Sequence, residues 1–171
     1  MMLILTGFKP ELAPYFAALN YQWIEEYFDI EAEDRKALDD PYGYALAAGG
    51  EILFLCDADQ VVGTAAMVPK FGDDEQQYSL SVESGLQAEI EVFELAKMAV
   101  AASLRGQGLG RIIIDGCIQF ARSRGAKRIV LTSNDILKPA MALYEGAGFK
   151  HYRDRSDARY ARGNVFMQLD F

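Results

Sequence analysis

The sequence predicts an α/β domain over residues 1–171, with a mixed sheet and the element order β-α-α-β-β-β-α-β-α-β-β. Three observations predict it. Short apolar runs bounded by turn residues alternate with stretches whose apolar residues return at helical spacing. In the second half, strand, helix and strand follow one another twice, and such passages run their strands parallel. No internal repeat, low-complexity tract or interdomain linker interrupts the pattern. A chain of 171 residues suits a single core, one that buries roughly 70% of the unfolded surface.

Taken in order, Met2 to Gly7 reads as a short strand. Pro10 opens a helix on which Leu12, Phe16, Leu19, Trp23 and Tyr27 recur at helical spacing. Glu31 to Leu38 forms a second, short helix stopped before Pro41. Glu51 to Cys56 and Gln60 to Val68 are strand-like runs around Asp57-Ala58-Asp59, which makes them a hairpin. Phe71 to Ala88 is polar and acidic without a clear period, a long connection of the kind that is functional or mobile. Glu91 to Val100 is again a strand. Leu109 to Arg124 is an amphipathic helix with Arg111, Asp115, Gln119 and Arg122 on one polar stripe, ended by Gly125. Arg128 to Ser133 is a β-branched strand, Ala140 to Gly146 a helix, and Phe149 to Tyr152 and Val165 to Leu169 the last strands.

Composition narrows the function. The chain is 51% hydrophobic and 25% charged, ordinary for a globular protein. Its apolar runs fall far short of the roughly 20 residues that cross a bilayer. Met1 to Phe8 lacks the basic leader and long apolar run of a signal peptide, so a cytoplasmic protein is expected. A net charge of -8 argues against nucleic acid and anionic membranes as partners. Cys56 and Cys117 sit in apolar patterns and read as small buried hydrophobes. They show no metal-ligand spacing. With His151 the single histidine, a Ser-His-Asp triad or histidine metal site is a poor fit, and no metal is expected.

The chemistry concentrates in Met98-Ala-Val-Ala-Ala-Ser-Leu-Arg105-Gly106-Gln107-Gly108-Leu109-Gly110-Arg111, a glycine-rich loop between a strand and a helix start. Glycines let the backbone bend so that successive N–H groups face one concavity, and the helix start adds free N–H groups and a positive dipole end. Arg105 and Arg111 add charge, and the whole makes a pyrophosphate cradle. A Walker loop would end in Gly-Lys-Ser/Thr, but Gly110 is followed by Arg111-Ile112. A dinucleotide fingerprint would need a third glycine where Ile113 stands.

Arg105-x-x-Gly108-x-Gly110 resembles the Arg/Gln-x-x-Gly-x-Gly/Ala signature of the GNAT (GCN5-related) N-acetyltransferase superfamily. Downstream, Ala140-Met-Ala-Leu143-Tyr144-Glu-Gly-Ala-Gly148-Phe149 resembles that superfamily's Ala-x-x-Leu-Tyr-x-x-x-Gly-Phe element. The likeness is specific over Gln60 to Phe149 and topological elsewhere. It implies a GNAT-like fold, a mixed sheet of six to seven strands with helices on both faces. It also implies an acetyl-CoA-dependent transferase acting on an amine of a small molecule or peptide, as monomer or homodimer. A non-catalytic acyl-CoA sensor is the alternative.

The resemblance further implies roles for particular residues. The strand ending at Val100 should carry a bulge and splay from Arg128–Ser133, so that the pantetheine arm pairs with backbone at Met98, Ala99 and Val100. The pyrophosphate should lie on the N–H groups of Arg105, Gly106, Gln107, Gly108, Leu109, Gly110 and Arg111. Many members carry an Asn where this chain has Leu137, which makes Asn134 the candidate polar contact to the pantetheine. Tyr144 matches the tyrosine that protonates the departing CoA thiolate, a role that suits a phenol, neutral at pH 7. Packing against the sheet is the bland alternative.

An acceptor alkylammonium is only about 0.1% free base at neutral pH, so deprotonation costs roughly 4 kcal/mol. Glu94 is the candidate base. It lies on the CoA-pairing strand, where alternation places Glu94, Ala96 and Met98 on one face unless a bulge resets the parity. Its other readings are an exposed carboxylate or a partner for Lys97. Glu91 is a weaker substitute, and a water chain is the remaining possibility. Trp23, Tyr27 and Phe28 with Glu25, Glu26, Glu31 and Glu33 would make an aromatic, acidic wall for a cationic amine, or simply an amphipathic helix with a solvated face. In Tyr160-x-Arg162-x-Asn164, Arg162 could bind an acceptor carboxylate, unless the segment is a plain loop.

Overall fold

In the computed structural model, which describes residues 1–71, 89–152 and 162–171, seven strands join in one sheet ordered β1-β2-β3-β4-β5-β7-β6. They are Leu3–Thr6 (β1), Glu51–Asp57 (β2), Gln60–Pro69 (β3), Val92–Val100 (β4), Arg128–Ser133 (β5), Lys150–Tyr152 (β6) and Val165–Asp170 (β7). The α-helices are Ala13–Tyr27 (α1), Ala32–Asp39 (α2), Leu109–Ser123 (α3) and Lys138–Gly146 (α4). The acidic connection beyond Phe71, and Tyr160, lie outside the described residues.

The two β-α-β passages resolve differently. β4-α3-β5 yields a parallel ladder, as expected. β5-α4-β6 does not, because β7 inserts between β5 and β6 and pairs antiparallel with both. β5 and β6 therefore run parallel without touching.

β2 reads as an unbroken apolar run because both of its faces are covered. Ile52 and Phe54 pack with Phe16, Ile24 and Leu38 on one side. Leu53 and Leu55 pack with Ile113, Ile114 and Cys117 on the other. Helices α1 and α2 thus cover one face, α3 and α4 the other.

Two local details matter for the site. Pro10–Leu12 forms a 3₁₀ turn before α1, and Phe16, Asn20 and Ile24 make the fully buried line of that helix. The buried line therefore runs one residue away from the Leu19-Trp23-Tyr27 line expected from spacing. Trp23 is left half-buried and Tyr27 is 48% exposed. Asn20 is tolerated inside because its amide donates to the Phe16 carbonyl and accepts from the Trp23 indole N–H, each at 2.9 Å. In α2, Glu31 is the cap rather than the first helical residue. It and Asp34 form a reciprocal capping box, each side chain accepting from the other's backbone N–H.

Candidate active site

β4 pairs with β3 along nearly its whole length, but with β5 only at Val92, Phe93 and Glu94. Beyond Glu94 the two strands part. The cause is on the β3 side. Ala66 opposes Ala96 but Thr64 opposes Ala99, so β4 carries an extra residue between them, and Lys97 takes a left-handed conformation at φ 51°. This is the bulge and splay the resemblance implies.

The bulge also resets the parity. Phe93, Leu95, Met98 and Val100 all pack on the α3–α4 side. Met98 therefore does not share a face with Glu94, and Lys97 takes its place on the α1–α2 side, against Asp34 of α2. Glu94 itself is 5% exposed, so its reading as an exposed strand carboxylate is wrong.

The opening between β4 and β5 widens into a cleft of about 280 Å³. Glu94, Met98, Ala99, Val100, Arg105, Asn134 and Tyr144 all line it, together with Trp23, Tyr27 and Phe28. Gly106 to Arg111 do not; they form the turn that leads from Arg105 into α3. Within that turn Gly106 and Gly108 have φ of 79° and 82°, which only glycine adopts freely, and a Cβ on either would meet nothing within 4 Å. Gly108 is the cap of α3 and supplies no side-chain hydrogen bond. The helix start with its dipole thus faces open space, a setting suited to phosphate. Gly110 has a different reason to be small: a Cβ there would lie 2.8 Å from Leu143 Cδ2 of α4.

The two arginines part company. Arg105 lines the cleft and pairs with Glu26 of α1 at 2.8 Å, both side chains partly exposed. Arg111 turns from the cleft: it bonds Asp115 at 2.9 Å and the Gly146 carbonyl at 3.0 Å, tying α3 to the end of α4. Asn134 is engaged on both ends of its amide. It donates to the Arg162 carbonyl and accepts from the Ile136 N–H. Tyr144 is 9% exposed, its ring edge-on to Phe149 at 6.1 Å. Burial, with a small contribution from Cys117, pushes its phenol up to about 12. It stays protonated, a neutral donor, across the ordinary assay range.

Sequence reasoning missed the ion network beneath Phe28 and the end of α1. Asp34, with no exposed surface, accepts from Lys97 at 2.6 Å and from both terminal nitrogens of Arg162, and Arg162 also bonds Glu31 at 2.9 Å. Its guanidinium lies 5.5 Å over the Phe28 ring. Arg162 is therefore held by protein carboxylates, which argues against its reading as a binder of an acceptor carboxylate. The signals were a lysine inside an apolar strand and the Glu31-x-x-Asp34 capping pair.

Burial alone would raise the Asp34 carboxyl, but the hydrogen bonds from Arg162 and Lys97 outweigh it and hold the group at about 2, against an ordinary 3.8. Between those values the unfolded chain binds the proton and the native one does not, so stability is lost as pH falls through about 4 toward 2. Asp34→Asn should flatten that part of the acid limb. At neutral pH it should cost about 3–5 kcal/mol, since buried Lys97 loses the carboxylate it bonds and Arg162 keeps only Glu31 of its two carboxylates. Urea titrations at pH 7, 4 and 2.5 on both proteins check this.

The chain is 39% identical over 64 residues to the uncharacterized N-acetyltransferase YjgM of Escherichia coli, 37% of this chain and 38% of that protein. It is 29% identical over 105 residues to rat N-acetyltransferase 8F1, 61% of this chain and 42% of that one. The chain thus spans about two fifths of the length of these two relatives. In fold it matches a GNAT-family acetyltransferase of Staphylococcus aureus Mu50 with a TM-score of 0.79, 16% identity and 99% of each chain covered. It also matches YncA of Salmonella typhimurium, whose structure holds its cofactor acetyl-CoA, with a TM-score of 0.71 and 18% identity over 98% of this chain and 93% of that one. The profile of the acetyltransferase (GNAT) family covers residues 16–149, from the first helix through the Gly148-Phe149 turn. By that match over most of its length, the chain belongs to the GNAT acetyltransferase family.

Proposed function

We propose that this chain is a single-domain, acetyl-CoA-dependent N-acetyltransferase that passes the acetyl group to a primary amine of a small molecule or peptide by direct attack on the thioester. The observation that carries the reading is the opening between β4 and β5. It leaves the β4 edge at Met98, Ala99 and Val100 without a β5 partner, beside a glycine-rich helix start and in one cleft with Tyr144 and Glu94. An extended pantetheine arm can pair with that edge as an added strand. The first-turn N–H groups of α3 then take the pyrophosphate. Arg105 exchanges Glu26 for phosphate. A partly exposed ion pair is worth only about 0–1 kcal/mol, so the exchange is easy. Arg111 contributes its backbone N–H, its side chain being held by Asp115. Asn134, with its amide engaged, braces the cleft wall through Arg162 and Ile136 and offers at most a shared hydrogen bond.

In the transfer, Glu94 takes the proton of the acceptor ammonium, directly or through one water. The amine nitrogen bonds to the acetyl carbon, the carbon–sulfur bond breaks, Tyr144 gives its phenolic proton to the departing sulfur, and the second proton on nitrogen passes to solvent, which leaves a neutral amide. Exchange with solvent restores both side chains. Two free cysteines away from the cleft, Cys117 buried and Cys56 half-buried, suit a reducing, cytoplasmic setting, and we read the enzyme as a monomer or homodimer.

Release of free thiol from acetyl-CoA in the presence of an amine tests the activity, and Glu94→Gln tests the base. The variant should bind acetyl-CoA like the parent. Its turnover should fall at neutral pH and recover as rising pH supplies more free amine, by about tenfold per pH unit below the amine's own pKa. Turnover from pH 6.5 to 9.5 in both proteins reads this out. Parallel profiles would remove Glu94 and leave a water chain as proton acceptor.

A further inference from the structure

The cleft wall narrows the chemistry of the acceptor. At the end of α1 the structure keeps the aromatic half of the wall that the sequence suggests and turns its acids elsewhere. Glu26 is paired with Arg105, Glu31 with Arg162 and Glu33 with Lys36. Among the described residues that line the cleft, Glu94 is the one carboxylate, while Lys97, Arg105 and Arg162 bring positive charge. Those three cations are already paired, Lys97 with Asp34, Arg105 with Glu26 and Arg162 with Asp34 and Glu31. A polyamine or aminoglycoside would carry two or more ammonium groups into a cleft lined by a single carboxylate.

What the wall does offer is carbon surface. The Trp23 indole N–H is engaged by Asn20 at 2.9 Å, so the ring presents an apolar face. Tyr27, next to it, is 48% exposed. Ile136, also lining the cleft, is 57% exposed. The cleft, at about 280 Å³, lies at the small end of ligand sites and must also admit the pantetheine arm.

We propose that the acceptor is a small primary monoamine bearing one aromatic or bulky apolar group, its ring against Tyr27, Trp23 and Ile136 and its amine at Glu94. The inference rests on the transferase reading above.

The test takes the full chain and first measures acetyl-CoA binding by calorimetry. It then compares kcat/KM, by thiol release, for 2-phenylethylamine, spermidine, kanamycin and a peptide with a free N-terminal phenylalanine. The expected result is a preference for 2-phenylethylamine of about tenfold or more, the scale of an apolar group in a matched pocket. Tyr27→Ser and, separately, Ile136→Ser should raise KM for 2-phenylethylamine by about threefold to tenfold through lost apolar contact, with the Kd for acetyl-CoA unchanged. Spermidine, kanamycin or the peptide matching or exceeding the aromatic amine would overturn the inference while leaving the transferase in place. An unaltered KM in both folded variants would do the same, whereas no turnover of any amine by a protein that binds acetyl-CoA would overturn the transferase reading and this inference with it. Failure to bind acetyl-CoA at all would overturn both readings.

Discussion

Tyr144→Phe should lower turnover by about a hundredfold or more while the Kd for acetyl-CoA barely moves, the usual loss when a general acid is removed. The phenol is almost wholly buried, and burial pushes it up to about 12, so it carries its proton throughout any practical assay. In the proposed transfer that proton goes to sulfur as negative charge develops there. Phenylalanine keeps the ring, its edge contact with Phe149 at 6.1 Å and its place against α3 and β7, so folding and binding survive. The alkaline limb of the wild-type pH profile up to pH 9.5 should contain no step from Tyr144, because its titration lies well above that range. Single-turnover measurements with saturating acetyl-CoA isolate the chemical step. If the rate of that step is unchanged in the variant, Tyr144 is a packing residue and the proton comes from solvent.

Gly108→Glu should weaken acetyl-CoA binding by about a hundredfold or more, the scale of two or three lost charge-assisted hydrogen bonds at about 1.5–3 kcal/mol each. The substitution acts in two separable ways. At φ 82° any side chain strains the backbone, which costs about 1–2 kcal/mol of stability. Beyond that, a Cβ at this position meets no protein atom within 4 Å, so the new carboxylate occupies the open space that the phosphates are proposed to fill. Gly108→Ala carries the strain without the charge and should bind acetyl-CoA within about tenfold of the parent, since it leaves the helix-start N–H groups in place. Calorimetry on both variants separates strain from occlusion. Wild-type affinity in the glutamate variant would mean that the phosphates bind elsewhere. Gly110→Glu is the poorer probe, since its Cβ would press on Leu143 and disturb the α3–α4 packing before any ligand is involved.

Much of this was legible locally. The order of elements follows from apolar spacing and turn residues, and ends differ by a residue or two, as with Lys138 rather than Ala140 opening α4. The glycine-rich turn was legible because backbone conformation is a local property: two positive-φ positions in three residues call for glycine at both. Tyr144 was legible because its motif keeps it at a fixed place on a helix. Even the bulge in β4 entered as an expectation, though from resemblance and not from spacing.

What the spacing of residues could not carry is anything set by partners far apart in the chain. Lys97 meets Asp34 across 63 positions, Arg105 meets Glu26 across 79, and Arg162 meets Asp34 across 128. Those pairings commit Glu26 and Arg162 to partners within the protein, which leaves the aromatic part of the expected wall and argues against Arg162 as a binder of an acceptor carboxylate. The bulge in β4 against β3 put Met98 on the opposite face from Glu94, and packing in the sheet left Glu94 buried. The sequence by itself determined the strands, the helices and the glycine-rich turn, because each is dictated by dihedral preference and apolar period over a few residues. Only the tertiary structure decided which charges remain in the cleft, because an ion pair forms wherever folding brings opposite charges together out of water, and no local pattern records that meeting.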